Sequence, residues 1–278
     1  MQTPELLSLK EMQQVYLELL KEFDALCREH DLRYDLAGGS LLGAVRHGGF
    51  IPWDDDIDVC MPRPDFRRLL DLKAQGKLSL AKDRDVISHR DKTMARHFGR
   101  YVRHDVRRLS EMAEEDDCPY IGMDIFPIDG LPEGNLAFKW QCFRVRQLRR
   151  FLLTSVERKG TSRRGALAAR IKDLYRPLLK AIGPYRIAAH LDRVCSRVPF
   201  EKAGYVGAIT GMYGHRERWP KEQMLPQKRM KFEDTEACVF ANYDIYLSNL
   251  FGDYMRLPPE EQQVPHCDSG YRVKETEI

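Results

Sequence analysis

Leu9, Met12, Tyr16, Leu19, Phe23 and Leu26 recur at steps of three and four residues, the spacing that gathers side chains on one face of an α-helix. Ser8 stands just before them with Glu11 three residues on, a pair able to close a capping box at the helix start. The helix should end near His30, ahead of a short strand over residues 33–37. Gly38, Gly39 and Ser40 then break the strand, and residues 41–46 can form a short helix whose first N–H groups face that turn, a natural place for an anion. After His47, Gly48 and Gly49, the segment IPWDDDIDVCM at 51–61 contains an alternation of period two. On a strand, Ile57 and Val59 take the core face and Asp56 and Asp58 share the other.

Further strands are expected at 86–88 and 98–102. IGMDIFPIDGLP at 121–132 begins as another, with Met123 and Ile125 on one face and Asp124 on the opposite one, and Pro127, Gly130 and Pro132 should stop it. From 138 to about 198 the pattern becomes helical, interrupted at Gly160, Gly165, Gly183 and Pro184. The chain therefore divides into an N-terminal α/β catalytic core at 1–135, a helical insert at 136–200, and a C-terminal segment at 201–278 that folds back to complete the core.

With 278 residues, 43% hydrophobic and 31% charged, the chain can bury one sizeable core and a smaller one, which excludes fibrous and disordered classes. No stretch approaches the ~18 apolar residues of a membrane span, and the N-terminus lacks the pattern of a secretory signal, so a cytoplasmic location is expected. Seven scattered cysteines without a CxxC pair support neither a disulfide framework nor a zinc module. Net charge is only +3, but residues 137–197 carry 16 Lys and Arg against Glu157, Asp173 and Asp192, leaving the remainder acidic. A basic helical block of that kind suits an acidic partner, and peripheral contact with the inner membrane face is one expectation. Zinc fingers, an RRM signature and interleaved basic and aromatic residues are absent, so no nucleic acid is expected.

Two carboxylates one residue apart on a strand face, next to a Gly-Ser turn, suit a hard divalent cation that holds phosphates, Mg²⁺ or Mn²⁺ in its place. Other motifs fail. A calcium loop from Asp54 would need Gly and Glu where Val59 and Asp65 stand. GGSLLGAV lacks the Gly-Lys-Ser/Thr end of a P-loop and the glycines of a dinucleotide fingerprint. Arg46 and His47, between the turn and the acids, and Arg100 and Arg103, further on, are candidate phosphate contacts. Trp53, Tyr101, Tyr120, Phe126, Tyr213, Trp219, Tyr243 and Tyr246 are available as walls for a cationic head group.

GGSLLGAVRHGGFIPWDDDIDVCMPR, MDIFPIDGLP and the late FGDYMRLPP…VPH together resemble the LicD family of phosphocholine transferases, whose relatives include the fukutin-related phosphotransferases. The resemblance implies an α+β fold, with a nucleotidyltransferase-like mixed-sheet core related to the polymerase β superfamily. It places the phosphate turn at Gly39 and Ser40, the acidic pair at Asp56 and Asp58, a third acid at Asp124 as a third metal ligand or the base that takes the hydroxyl proton, and Asp54 and His266 at further motif positions. It also implies transfer of a phospho-alcohol, commonly phosphocholine, from a CDP-alcohol donor to a hydroxyl of a cell-surface glycan or its lipid-linked precursor. The alternatives are a nucleotidyltransferase that uses an NTP and releases pyrophosphate, and an inactive nucleotide-binding relative.

Overall fold

The computed structural model describes residues 6–109, 118–160, 165–211, 213–265 and 269–273. Helix α1 (Leu9–Glu29) starts at the expected capping box: the Glu11 N–H donates to Ser8 Oγ and the Ser8 N–H donates back to the Glu11 carboxylate. Met12, Tyr16, Leu19, Phe23 and Leu26 all face the core. Next come β1 (Asp35–Leu36), α2 (Gly38–His47), β2 (Asp58–Pro62), α3 (Arg63–Ala74), β3 (Arg84–Ile87), β4 (Gly99–Leu109) and β5 (Tyr120–Leu131). Three helices follow, α4 (Asn135–Val156), α5 (Ala166–Ile182) and α6 (Pro184–Cys195). The chain then returns through β6 (Tyr205–Gly207), β7 (Trp219–Pro220), α7 (Lys221–Met224), the hairpin β8 (Gln227–Phe232) and β9 (Thr235–Phe240), α8 (Tyr243–Phe251) and β10 (Ser269–Arg272).

The main sheet runs β1-β2-β5-β4-β10, with β3 also on β4 and β6 and β7 extending from the end of β5. β2 and β5 are parallel and the other pairs antiparallel. Helix, strand and mixed sheet thus share one α+β body whose largest core joins α1, α2 and α3 to the sheet. A second cluster, from Phe138, Val145, Leu152, Leu179, Ile187 and Leu191, holds the three helices of the basic block together.

Two expectations need correction. The Gly-Gly-Ser segment is not a turn ahead of a helix: α2 begins at Gly38, so Gly39 and Ser40 occupy its first turn. Nor do Pro127 and Gly130 stop β5, which runs to Leu131. On that edge β4 pairs only as far as Ile125 and β6 begins at Asp129, so Pro127 falls in the interval between partner strands, where a missing N–H is tolerated.

Candidate active site

The acidic segment leads from a turn, closed by the Asp54 N–H on the Ile51 carbonyl at 2.9 Å, into β2. Ile57 and Val59 are fully buried, and Asp56 and Asp58 alternate with them as half-buried residues. Ordered strand begins only at Asp58, yet the Asp124 N–H already donates to the Ile57 carbonyl at 3.3 Å, which extends the alternation one residue upstream. In the parallel ladder Asp58 lies opposite Asp124, and Val59 opposite Ile125. Met123 and Ile125 point into the core, so Asp124 emerges on the face that carries Asp58.

Helix α2 fixes the other side. Ser40 Oγ accepts the Asp58 N–H at 2.8 Å. A Cβ on Gly39 would stand 2.9 Å from Asp54 Oδ2, so any side chain there would displace that carboxylate. Ser40 is therefore a backbone clamp on Asp58, and Gly39 lets the buried Asp54 carboxylate lie against the helix start.

The electrostatics centre on Asp58. Burial, then the carboxylates of Asp56, Asp124 and Asp54, push its carboxyl well above the ordinary range, and Arg100 opposes them. Arg100 comes from β4, directly across from Asp124 in the antiparallel register, and its Nε donates to Asp124 Oδ1 at 2.5 Å. Burial opposes its charge, but Asp124 and the Cys118 thiol outweigh that and hold the guanidinium firmly protonated. Tyr16, from α1, lies within the same field: burial and then Asp56 raise its hydroxyl, while Arg100 lowers it.

This set supplies hard oxygen donors without a histidine or thiol, the chemistry that Mg²⁺ or Mn²⁺ prefers. Among the described residues no three His, Cys, Asp or Glu side chains converge closely enough to enclose an ion as placed. The fit therefore rests on Asp56 and Asp58 as a pair, with Asp124 committed to Arg100.

Arg46 and His47 are less free than their position suggested. Arg46 donates to the carbonyls of Tyr254 at 3.0 Å and Arg256 at 3.3 Å, and its Nε reaches His47 Nε2. Burial, then Arg46, lowers the His47 pKa, and its ring meets Trp53 edge-on. Arg103 pairs with Glu18 and Asp105. His266 lies outside the described residues.

The C-terminal segment contributes two glutamates that sequence reasoning did not assign, Glu217 and Glu233, and uses Tyr246, a candidate aromatic wall, as a hydrogen-bond acceptor. Tyr246 Oη, from α8, accepts the Gly38 N–H at 3.2 Å and so occupies the first donor of α2. Glu233 in the hairpin turn accepts the Phe50 N–H at 2.9 Å, and its own N–H donates to the Gly48 carbonyl. A Cβ on Gly49 would collide with that carboxylate at 2.0 Å, which explains the glycine. Glu217 is 5% exposed, and burial alone raises its carboxyl to about 8. The Tyr213 hydroxyl, pushed up to about 12 by burial, also senses Glu217, Asp58 and Asp54. No local motif marks Glu217 or Glu233, and Tyr16 read only as one position of the apolar face of α1.

Residues 31–130 match the family described as LicD/FKTN/FKRP, nucleotidyltransferase domain. The lipopolysaccharide cholinephosphotransferase LicD of Haemophilus influenzae is 31% identical over 269 residues, which is 94% of this chain and 96% of that protein. The human ribitol 5-phosphate transferase FKRP is 41% identical over 56 residues, 20% of this chain and 11% of its own. Likeness along nearly the whole length, with Gly39, Ser40, Asp56, Asp58 and Asp124 gathered around one strand pair, shows that the chain belongs to the LicD family of phosphotransferases.

Proposed function

We propose that the chain transfers a phospho-alcohol, with phosphocholine as the leading candidate, from a CDP-linked donor to a hydroxyl of a cell-surface glycan or its lipid-linked precursor, releasing CMP. The observation that carries this reading is the acidic field of Asp56, Asp124 and Asp54 acting on the carboxyl of Asp58, in a chain similar over 94% of its length to a cholinephosphotransferase. So much negative charge in one place is costly without a cation, and a nucleotide diphosphate bound with its metal would supply one.

Asp56 and Asp58 would hold Mg²⁺ or Mn²⁺, which when bound neutralises charge on the phosphate oxygens. Ser40 fixes the Asp58 backbone, so the carboxylate is aimed before the donor arrives. Asp124 is oriented by Arg100 on the same face and serves as the acceptor of the glycan hydroxyl proton. The hydroxyl oxygen forms the new bond to the phosphorus that bears the alcohol, the bond from that phosphorus to CMP breaks, and CMP leaves with the electron pair. Arg100 remains protonated throughout and balances the face as charge moves.

The test is a panel of CDP-alcohols and CTP, incubated with Mg²⁺ and a glycan acceptor and followed for CMP and pyrophosphate. CMP release and labelled acceptor are expected with at least one CDP-alcohol, and Asp58→Asn should remove nearly all of it. Pyrophosphate from CTP with no CMP from any CDP-alcohol would overturn the proposal. So would Asp58→Asn turnover within about tenfold of the parent, a barrier change of only ~1.4 kcal/mol.

A further inference from the structure

Helices α4 and α5 repeat one pattern. In α4, Leu136, Trp140, Phe143 and Phe151 lie along a single stripe, and in α5 Leu167, Ile171, Leu174, Leu178 and Ile182 do the same. All nine side chains are exposed, Leu136 and Leu174 to 85% and Leu167 to 73%. Folding does not require these stripes to be apolar. The helices already bury their opposite faces, through Phe138, Gln141, Val145 and Leu152 in α4 and Ala169, Arg176 and Leu179 in α5. Isolated exposed leucines are ordinary, but nine large apolar side chains in two parallel registers mark a contact surface.

The α4 stripe reaches helix α5 beside its own stripe. Phe151, at the end of the α4 stripe, contacts Tyr175 of α5 with ring centroids 6.3 Å apart, and Trp140 stacks on Phe143 at 5.6 Å. Exposed basic side chains flank the apolar surface: Lys139, Arg146 and Arg150 along one edge of the α4 stripe, and Arg170 beside that of α5. α4 carries five Lys or Arg and no acid, and α5 carries four against Asp173. An apolar stripe with Trp and Phe, bordered by Lys and Arg, is the composition of a helix that lies in a membrane interface.

We infer that the exposed faces of α4 and α5 form a docking surface for an anionic lipid bilayer. Charge selects this occupant over a second copy of the chain: two such faces brought together would oppose the net charge of +13 on residues 137–197 with itself. An anionic headgroup layer offers the opposite sign around the same apolar contact. None of the described helices is long and apolar enough to cross a membrane, so the contact is with the surface. Charge alone, as read from the sequence, is also compatible with a solvated face. The two exposed stripes are what distinguish insertion from mere attraction.

The test is sedimentation of the full chain with vesicles of phosphatidylcholine alone and with phosphatidylglycerol added, at low and high salt, without donor or acceptor. Vesicle binding thus stands or falls independently of the transfer reaction. Binding should require the anionic lipid at low lipid concentration and weaken as salt rises. Leu174→Gln with Leu178→Gln, or Leu136→Gln with Trp140→Gln, should lower partitioning by about tenfold or more at fixed salt. Lys139→Gln with Arg146→Gln and Arg150→Gln should erase the preference for phosphatidylglycerol. Because every substituted side chain is exposed, unchanged circular dichroism and melting accompany each expected loss. Failure to bind anionic vesicles at low salt overturns the inference, as does binding unaffected by the apolar substitutions. A lipid-free dimer that Leu174→Gln with Leu178→Gln dissociates also overturns it, by giving the face to a second copy.

Discussion

Glu217 carries a proton where solvent would remove it, and replacing it with glutamine makes that cost measurable. Its carboxyl, ordinarily near 4.5, is held at about 8 by burial alone. The folded chain therefore keeps a proton that the unfolded chain releases between those two values. The stability associated with that proton is intact below about pH 4.5, declines as pH rises, and is lost once pH passes about 8. One pH step across the interval is worth ~1.4 kcal/mol, so the whole interval amounts to about 5 kcal/mol as an upper limit. Glu217→Gln has nothing to ionise. It adds an amide that needs partners in the same site, but that penalty is equal at every pH and cancels when the two proteins are compared across pH. Urea unfolding of both should show the variant gaining on the parent from pH 5 to pH 9 by several kcal/mol, and overtaking it if the amide finds partners. Asp35, buried and also raised to about 8, titrates in both proteins and drops out of the difference. A parent and variant whose unfolding midpoints track in parallel across the range would mean that water reaches Glu217, and would refute its burial as the cause.

Asp124→Ala leaves Arg100, 8% exposed, without its carboxylate, and should cost ~3–5 kcal/mol in chelator as well as in Mg²⁺. Thermal melts in both conditions check this, and a variant stabilised in chelator would show that repulsion among the acids outweighs the ion pair. Arg63 joins Asp129 of β5 to Asp192 of α6 through contacts of 2.6 Å. Arg63→Met should therefore destabilise by ~3–5 kcal/mol, because two carboxylates lose their cation, with Arg63→Lys partly restoring the loss. Urea unfolding measures both, and a loss below ~1 kcal/mol for Arg63→Met would remove the triad from the account of how the helical block is held.

What could be read from the sequence was whatever is periodic or local. Helix α1 declared itself through its spacing and its Ser8–Glu11 cap, and Asp56, Asp58 and Asp124 through alternation with buried neighbours. The start of α2 was misread because glycine and serine ordinarily signal a turn. Here Gly38 takes a φ of +51° and opens the helix, while Gly39 leaves room for the Asp54 carboxylate, a contact visible only after folding. Arg100 was recognised as a cation near the site but assigned to phosphate. Its actual partner is set by the β4–β5 register, which places it across from Asp124 and which no short window of sequence contains.

The region matched by the family description ends at residue 130, yet the site does not end there. Both termini of α2 are held from the far end of the chain: Gly38 by Tyr246, and Arg46 by the carbonyls of Tyr254 and Arg256. The loop leading to the acids is fixed by Glu233 through the Gly48 carbonyl and the Phe50 N–H. These contacts determine where Ser40 stands, and Ser40 determines where the Asp58 backbone stands. A chain cut after β5 would keep every acidic residue of the motif and lose the contacts that aim them. Glu233, Tyr246, Tyr254 and Arg256 thus help to hold α2 and the loop that follows it, although they add none of the motif acids. That is consistent with likeness to the Haemophilus influenzae transferase running along 94% of the chain rather than through the acidic motif alone.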